Sequence, residues 1–541
     1  MSGHADAKVK YHCAHVGIMT YRKVEKRGTK YYLYDVTGVW DPVKKNSKLK
    51  KTYIGPCDAD GNITEERKNN VKTSKTFGNC WLMSRIAEET GVSEDIMKAF
   101  GSDLGGDILA LSVFRTIEQV PMRETEDRMD ELFLSETLAN DSDLSSREMS
   151  RLMVRISEAE KNREKFFASR AAAGNGKAVI FDVTVFATES ERMERAEYGR
   201  GYRDFKTKQV NMGMVQSVDT GLPFYYQLYP GSVSDVKTLN NLRERLRSLG
   251  RERVHFFMDR GFFSEPNICG LLDAEMGFTV PVPAGRDVFA DAVPSVKKDM
   301  NSMNTHMFND ELFRVGETMS QYAGRTIRTI VYLNEKRKSD ELHTLYSRID
   351  DFERRMKEKT WYKGVHRELV KTKDRDLLKL FELKEGTFGK ILTERKRNAI
   401  TRRENTCGTM VIMTTSNEQW DSVLSSYRIR NSIETSFKRL KDDLEGGVKG
   451  LQTDLSADGM IFVEFVSTIL MFELFRRIRS SSLYRKVWLP DVNNELRKLK
   501  VSMVGGHWIL NEVTKKQREM IEALGFAEPT TADVRRLVPR N

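Results

Sequence analysis

The sequence of 541 residues is poor in cysteine, and it has no long uncharged apolar run. Its five cysteines are odd in number and scattered, which excludes a secreted domain built on disulfides. The longest apolar run, MIFVEFVSTILMFELF from Met460, carries Glu464 and Glu473 and is short for a membrane span, so it predicts a buried helix. The first residues, MSGHADAKVK, contain no apolar stretch of a signal peptide. These absences indicate a soluble protein of a reducing compartment.

Familiar cofactor motifs are also missing. No glycine-rich phosphate loop or dinucleotide fingerprint stands between a predicted strand and a helix. His12, Cys13 and His15 cluster, but no second ligand pair follows at the spacing of a zinc site. The segment 58–62, DADGN, begins like a calcium loop and lacks the distal glutamate, so it predicts a turn.

Positive charge is in surplus and unevenly distributed. The chain has 89 Lys and Arg against 78 Asp and Glu, a formal net charge of +11. Residues 1–51 hold twelve of these cations against four acids. YYLYDVTGVW from Tyr31 and KKTYIG from Lys50 have strand composition and predict a small basic β-hairpin module. Two interpretations stay open: its lysines contact DNA phosphates, or they protect a solvated edge hairpin.

The pattern along the chain changes several times. Residues 84–100 are typical of a helix-turn-helix, but the acids at Glu94 and Asp95 favour an ordinary helical hairpin. One long amphipathic helix is predicted from Leu144 to Phe167. We predict six segments: a basic β-rich module 1–64; a helical segment 65–172, a candidate for DNA-end binding; a core first part 176–284; an insertion domain 285–407; a core second part 408–480; and a C-terminal helical tail 481–541.

Strand-like segments dominate the predicted core. AVIFDVTVF at 178–186 and VHFFMD at 254–259 are apolar runs typical of buried strands. A hairpin turn is predicted at 219–222 and a helix from Ser234 to Gly250. Strand, hairpin, helix and strand in that order describe an α/β fold with a mixed sheet.

Two carboxylates stand at the ends of these apolar strands. Asp182 ends the run AVIFD, and Asp259 ends VHFFMD. An ionised Asp on a central strand needs a partner, and a divalent cation is one that takes carboxylate oxygens. The alternative is that each Asp caps the turn after its strand, and for the pair the two interpretations stay open.

A later helix adds a third carboxylate among cations. In SSYRIRNSIETSFKRLKDDLEGG, Tyr427, Arg430, Glu434 and Lys441 fall within an arc of about 60° around the axis, with Lys438 alongside. Ion pairing on a helix surface would explain Glu434 with Lys438 alone. It does not explain the phenol and the guanidinium in the same stripe.

With these residues in view, the sequence resembles the cut-and-paste insertion-sequence transposases of family four, which have a DDE centre. The spacing Tyr427-x2-Arg430-x3-Glu434-x6-Lys441 is similar to the YREK signature of that family. Asp259-Arg-Gly-Phe-Phe matches its second region, and Asp182-Val-Thr looks like its first. The resemblance covers roughly residues 178–480.

The resemblance implies an RNase H-like catalytic core, a mixed sheet flanked by helices and interrupted by an insertion domain. Asp182, Asp259 and Glu434 would be the catalytic residues and would hold two Mg²⁺ ions, for which Mn²⁺ substitutes. Two-metal chemistry suits in-line displacement at phosphorus, with water or a 3′-hydroxyl as nucleophile. The implied DNA-binding residues lie on the later helix: Tyr427, Arg430, Lys438 and Lys441.

The resemblance also sets the expected partners and location. We expect double-stranded DNA, both transposon terminal inverted repeats and target DNA, a homodimer in the synaptic complex, and no membrane. The expected location is the cytoplasm, associated with the nucleoid. In the family an aromatic side chain from the insertion stacks on a flipped base, and Trp361 is the candidate, although a core Trp is the alternative. Two other functions stay open: an RNase H-like nuclease or resolvase that cuts without joining, and a domesticated DNA-binding protein.

Overall fold

The computed structural model describes most of the chain, and the longest segment outside the described residues is 431–452. The described residues are 10–11, 20–27, 30–41, 46–62, 73–118, 120–121, 124–137, 144–174, 176–188, 190–199, 207–233, 235–362, 364–370, 374–430 and 453–537. They divide into two compact units. The first unit comprises residues 1–76, 499–513 and 529–541, and the second comprises 77–498 and 514–528.

The first unit contains two antiparallel sheets. Its N-terminal sheet has the order β1-β2-β3-β4, and its second sheet has the order β19-β18-β5. The helix of this unit is α17, Thr531–Leu537. The strands are β1 Lys10–Tyr11, β2 Thr20–Arg27, β3 Lys30–Asp41, β4 Asn46–Cys57, β5 Ser74–Thr76, β18 Lys500–Val504 and β19 His507–Leu510.

The segment 481–541 differs from the helical tail expected for it. It contains the hairpin β18–β19, whose turn is Gly505-Gly506, both with positive φ. β18 also pairs with β5, so Val501 lies opposite Lys75. Glycine reaches positive φ without a steric cost, which is why two successive glycines close this turn.

The second unit is built around a long helix. Its helices are α1 Gly78–Glu89, α2 Val92–Phe100, α3 Ser102–Ile117, α4 Thr125–Asp130, α5 Ser146–Glu158, α6 Glu160–Ala173, α7 Asp235–Ser248, α8 Glu265–Asp273, α9 Asp287–Ser295, α10 Glu335–Lys357, α11 Val365–Val370, α12 Arg397–Glu404, α13 described over 420–430, α14 Asp454–Ser480, α15 Leu489–Leu496 and α16 Lys515–Ala523. Among the described residues, α14 alone is long and apolar enough to cross a membrane, but 94% of its apolar window is buried inside the protein. The prediction of a buried helix from Met460 is confirmed.

The amphipathic helix predicted from Leu144 to Phe167 is two helices. The break is at Ala159, whose ψ of 48° is not helical. The second helix continues through the alanines to Ala173. Because no proline or glycine stands near residue 159, the sequence does not reveal the break.

A ten-stranded mixed sheet forms the centre of the second unit. Its order is β12-β13-β14-β17-β11-β10-β6-β8-β7, with β9 also paired to β8. β6, β10 and β11 are parallel neighbours, and β8 is antiparallel to β6. The strands are β6 Ala178–Thr188, β7 Glu197–Tyr198, β8 Lys208–Ser217, β9 Pro223–Pro230, β10 His255–Met258, β11 Gly277–Pro281, β12 Thr305–Phe308, β13 Glu311–Tyr322, β14 Arg325–Asn334 and β17 Thr409–Thr414. The predicted α/β class with a mixed sheet is confirmed.

The predicted insertion, 285–407, divides into two parts. Its first part, β12–β14, extends the central sheet because β14 pairs with β17 along six residue pairs. Its second part contains α10, α11, α12 and the hairpin β15 Phe381–Glu385 with β16 Ile391–Arg395. That part has its own apolar core around Ile349, Phe352 and Met356. The insertion is therefore continuous with the sheet at one end and separately packed at the other.

Candidate active site

Asp182 lies on β6, in the middle of the sheet. Its neighbours Ile180 and Phe181 are fully buried. The Asp182 side chain is 14% exposed, and its Oδ1 accepts a hydrogen bond from the backbone N–H of Val183 at 2.9 Å. A carboxylate so nearly buried needs a cationic or hydrogen-bonding environment.

Asp259 comes directly after β10 and lies beside Asp182. β10 is parallel to β6, with Met258 opposite Phe181, so the next residue of each strand is an Asp. Asp259 is followed by a short 3₁₀ turn, in which the ring of Phe262 lies 5.2 Å from that of Phe181. The two Asp therefore lie side by side on neighbouring strands, as expected. Only Asp259 stands at a strand end, however, because β6 continues past Asp182 to Thr188.

Arg430 joins the two aspartates. Its Nη1 lies 3.6 Å from Asp182 Oδ2 and 3.6 Å from Asp259 Oδ1. Because one nitrogen contacts both, the two carboxylate oxygens are at most about 7 Å apart. Arg430 is 7% exposed, so the ion pair with Asp182 is shielded from water, whereas the side chain of Asp259 is 41% exposed.

The packing of α13 sets the direction of Arg430. Val423 and Leu424 are fully buried against β13, β14 and β17. The hydroxyl of Tyr332 donates to the carbonyl of Trp420 at 2.8 Å. Arg428 donates to Glu311 at 2.5 Å. These contacts attach the first half of α13 to strands of the insertion, so the insertion helps to position Arg430.

Tyr427 supports the same arginine. The Cζ of Arg430 lies 5.6 Å from the centroid of the Tyr427 ring. Tyr427 also packs against the apolar cluster of β13, β14 and β17. The ring therefore has a packing role as well as a position beside the carboxylates.

The other predicted site residues, Glu434, Lys438 and Lys441, lie outside the described residues. Within the described part of the chain, no group of three or more His, Cys, Asp or Glu side chains could hold a metal ion. Asp182 and Asp259 are nevertheless hard oxygen ligands, close together and partly open to solvent. This donor set fits a divalent cation of the Mg²⁺ type, with water or phosphate completing its ligands.

Phe388 and Arg428 were not identified from the sequence as candidate site residues, and a different role was predicted for Trp361. Trp361, the predicted base-stacking residue, packs against the core of α10, β15 and β16. Phe388, at the tip of the β15–β16 hairpin, is 100% exposed and has a φ of +58°. A bulky residue at positive φ is strained and gains no burial here. The signal in the sequence was the short segment 386–389, GTFG, which places an aromatic in a glycine turn. Arg428 was also missed, because its partners lie on distant strands.

Two carboxylates side by side on neighbouring parallel strands, in a mixed sheet flanked by helices, are typical of enzymes that cut or transfer phosphodiester bonds with divalent metal ions. The family model of the transposase DDE domain matches residues 174–463, more than half of the chain. The chain therefore belongs to this family: it is a DDE transposase, an enzyme of the polynucleotidyl transferase and nuclease class. Enzymes of this family generally use divalent metal ions.

Similarity to other known proteins is remote. No curated protein matches the sequence significantly. Among solved structures, the cryo-EM structure of a piggyBac transposase synaptic complex with hairpin DNA is similar over 77% of this chain and 75% of that chain. The identity is 12% and the TM-score is 0.32, a value that does not establish a common fold.

Proposed function

We propose that the chain is a cut-and-paste DNA transposase of the insertion-sequence family four type, which binds its own transposon ends and joins them to target DNA. This proposal depends mainly on one observation: the side chain of Arg430 contacts those of Asp182 and Asp259, and the three residues belong to separate sequence motifs. The strand order is β9-β8-β6-β10-β11, in which β8 is antiparallel to β6, whereas β10 and β11 are parallel to β6. This order supports an RNase H-like core.

Asp182 and Asp259, with Glu434 as the third ligand, are the proposed holders of two Mg²⁺ ions. Held by these carboxylates, divalent ions would supply positive charge for the entering and leaving oxygens of an in-line displacement at phosphorus. Arg430 neutralises one of the two carboxylate charges, which limits their mutual repulsion. Its guanidinium also lies where a DNA phosphate approaching the carboxylates meets a positive charge.

The cations of the helix that contains Arg430 are proposed to contact DNA. Arg430 and Lys441 are eleven residues apart, which would be roughly 16 Å along the helix that the sequence predicts, so we expect them to contact different phosphates. Each phosphate contact contributes about −0.9 to the slope of log affinity against log salt on duplex DNA. Lys441→Ala should flatten that slope by about one unit in EDTA, whereas Glu434→Ala should not. An unchanged slope in Lys441→Ala would contradict this assignment.

The proposed base-stacking residue of the insertion is Phe388 and no longer Trp361. A fully exposed aromatic ring at a hairpin tip can stack on an unpaired base, whereas the partly buried ring of Trp361, packed against a core, offers less of its surface. Among the described residues, the fully exposed Phe388 ring gains no burial that would compensate for the strain at its positive φ.

The test is strand cleavage and joining on a plasmid that carries the element's own ends, in Mg²⁺ and in EDTA. Asp182→Asn, Asp259→Asn and Glu434→Gln should each abolish cleavage in Mg²⁺ and leave DNA binding in EDTA within about twofold. Asp273→Asn is a matched control, because its side chain is 63% exposed in a surface pair with Arg325. If Asp182→Asn or Asp259→Asn still cuts, the active site lies elsewhere.

The alternative functions separate in the same assay. A nuclease or resolvase would cut the ends and never join them to a second plasmid. A domesticated DNA-binding protein would bind the ends and cut nothing in Mg²⁺ or Mn²⁺. Sedimentation with paired ends tests the proposed homodimer, since a strictly one-to-one complex under cleavage conditions would contradict it.

A further inference from the structure

Three tyrosines form a continuous cluster on one face of the N-terminal sheet. Tyr34 on β3 lies directly opposite Tyr53 on β4, and Tyr32 is two residues away on the same face. The ring centroids are 5.5 Å apart for Tyr34 and Tyr53 and 6.1 Å apart for Tyr32 and Tyr53. The rings are tilted by 58° and 53°, so none covers another face to face. The tyrosine face, as we call it, thus presents adjacent aromatic surfaces.

The tyrosine face is open to solvent. Tyr53 is 51% exposed, and Tyr32 and Tyr34 are half-buried. The opposite face of the sheet buries Leu33, which is 3% exposed, and on the tyrosine face Val36 is fully buried two residues beyond Tyr34. The exposed ring of Tyr53 and the accessible parts of Tyr32 and Tyr34 form one group of neighbouring aromatic surfaces, which is typical of a binding surface.

Cations lie on the same face and outnumber the acids. Glu25 on β2 is opposite Tyr32. It is contacted by Lys23 at 3.3 Å, by Arg27 at 3.9 Å, and by Lys51. Three cations around one carboxylate leave two net positive charges beside the rings. Such surface pairs contribute little to stability, so their charge remains available to an anion.

Cations and aromatic rings also meet directly. The Cζ of Arg27 lies 6.0 Å from the Tyr34 ring centroid. Stacking rings with neighbouring cations are the combination that recognises unpaired nucleotides, because bases stack on the rings while phosphates meet the cations. Duplex DNA hides its base faces and would use the cations alone.

We infer that the tyrosine face binds single-stranded DNA, an unpaired stretch of the substrate on which the enzyme acts. This inference rests on the proposed function and adds to it a surface outside the carboxylate site. The surplus of eight positive charges in residues 1–51 favours an anionic partner over a protein with an apolar surface.

The experiment measures binding of the full-length protein in EDTA to two labelled probes, a 16-nucleotide oligothymidylate and a 16-base-pair duplex. Each lost base–ring stack corresponds to about 1–3 kcal/mol, so Tyr53→Leu and Tyr34→Leu should each weaken oligothymidylate binding by about 5- to 150-fold. The same variants should change duplex binding by less than about twofold. Tyr53→Phe keeps the ring and should bind like wild type.

Leu49→Ala is the matched control, because Leu49 is 60% exposed on the same strand and the same face. Lys51→Gln should flatten the salt dependence on oligothymidylate by about 0.7 in slope. A second readout needs no variant: photocross-linking of an oligonucleotide that contains 5-iodouracil should label the peptide that carries Tyr53.

Two results would overturn the inference. In one, both leucine variants bind oligothymidylate as Leu49→Ala does and no cross-link reaches β3 or β4. In the other, they weaken duplex binding as much as single-strand binding, which would make the face a duplex contact. If either result is obtained while the wild-type protein still cleaves element ends, the proposed function is unaffected. A wild type that neither cleaves nor binds DNA would instead refute the proposed function itself.

Discussion

Arg430 offers the sharpest test of the site because its charge holds two acids close together without DNA or metal. The change is Arg430→Gln, which keeps a polar side chain of similar length and removes the charge. It leaves Asp182 and Asp259 facing one another, no more than about 7 Å apart. We expect a clear loss of stability in EDTA.

The magnitude follows from the burial of the two pairs. At 3.6 Å and an effective dielectric constant near 20, the attraction between Arg430 and Asp182 is about 4.6 kcal/mol before desolvation. Removing one partner of a buried pair costs about 3–5 kcal/mol, and the 14% exposure of Asp182 favours the lower end. The pair with Asp259 is 41% exposed on the acid side and adds about 1 kcal/mol at most. The expected destabilisation is therefore about 3 kcal/mol.

Scanning calorimetry in EDTA measures this loss as a shift in Tm. The unit that contains the site has roughly 400 residues, so 1 kcal/mol corresponds to about 1 °C. Arg430→Gln and Asp182→Asn should each lower Tm by about 3 °C. The double variant should lower it by about 4 °C, since the second change removes a charge that has already lost its partner. Asp273→Asn, at a surface pair, should shift Tm by less than about 1 °C.

Additive shifts in the double variant would refute the reasoning. They would show that Arg430 and Asp182 do not interact in the free protein. An Arg430→Gln variant as stable as wild type would also show that Arg430 and Asp182 do not interact in the free protein. In that case the arginine would serve DNA alone, and the carboxylates would be balanced by another group.

The remaining predictions concern separate parts of the second unit. Asp259→Asn should abolish strand cleavage in Mg²⁺ and leave Tm in EDTA within about 1 °C, as a plasmid assay with calorimetry would show. Phe388→Gly should not lower Tm, because the exposed ring contacts nothing and glycine relieves the positive φ, yet it should slow cleavage of element ends. Glu464→Gln should cost about 3–5 kcal/mol, because Glu464 is 1% exposed and accepts from Arg115 at 2.5 Å; an unchanged Tm would contradict this. Burial lowers the pKa of His255 to about 4, so its stabilising contribution, up to about 3 kcal/mol, is present above pH 6.5 and is lost as the pH falls towards 4. A pH series of Tm should show a smaller acid loss in His255→Gln than in wild type.

Local patterns predicted the features that depend on one strand or one helix. The apolar runs before Asp182 and Asp259 indicated buried strands, and parallel pairing of these strands brings the two acids together. The long apolar stretch from Met460 indicated a buried helix despite its two glutamates. Burial of Glu464 is possible because Arg115, which no local pattern links to it, supplies the opposite charge.

Features that depend on distant partners were not visible in the sequence. The extension of the sheet by β14 requires pairing with β17, which lies some eighty residues later. The side chain of Arg430 points towards the aspartates because hydrogen bonds of Arg428 and Trp420 fix α13 to strands of the insertion. The strands of the hairpin β18–β19 have five and four residues, which is too short to show the alternation of apolar and polar residues that predicts a strand. Helical periodicity predicted on which face of α13 Arg430 lies, but it did not predict that this face contacts Asp182 and Asp259.

The pairing of β5 with β18 has a consequence for synthesis of the chain. Residues 74–76 leave the ribosome long before residues 500–504, which supply their partner strand. Closing a loop of more than four hundred residues is entropically costly and slow, so this pairing belongs to the last steps of folding. Asp182 and Asp259 are synthesised well before this partner strand. The sheet β19-β18-β5 of the first unit can therefore form only after residues 500–510 have been synthesised, more than four hundred residues after β5.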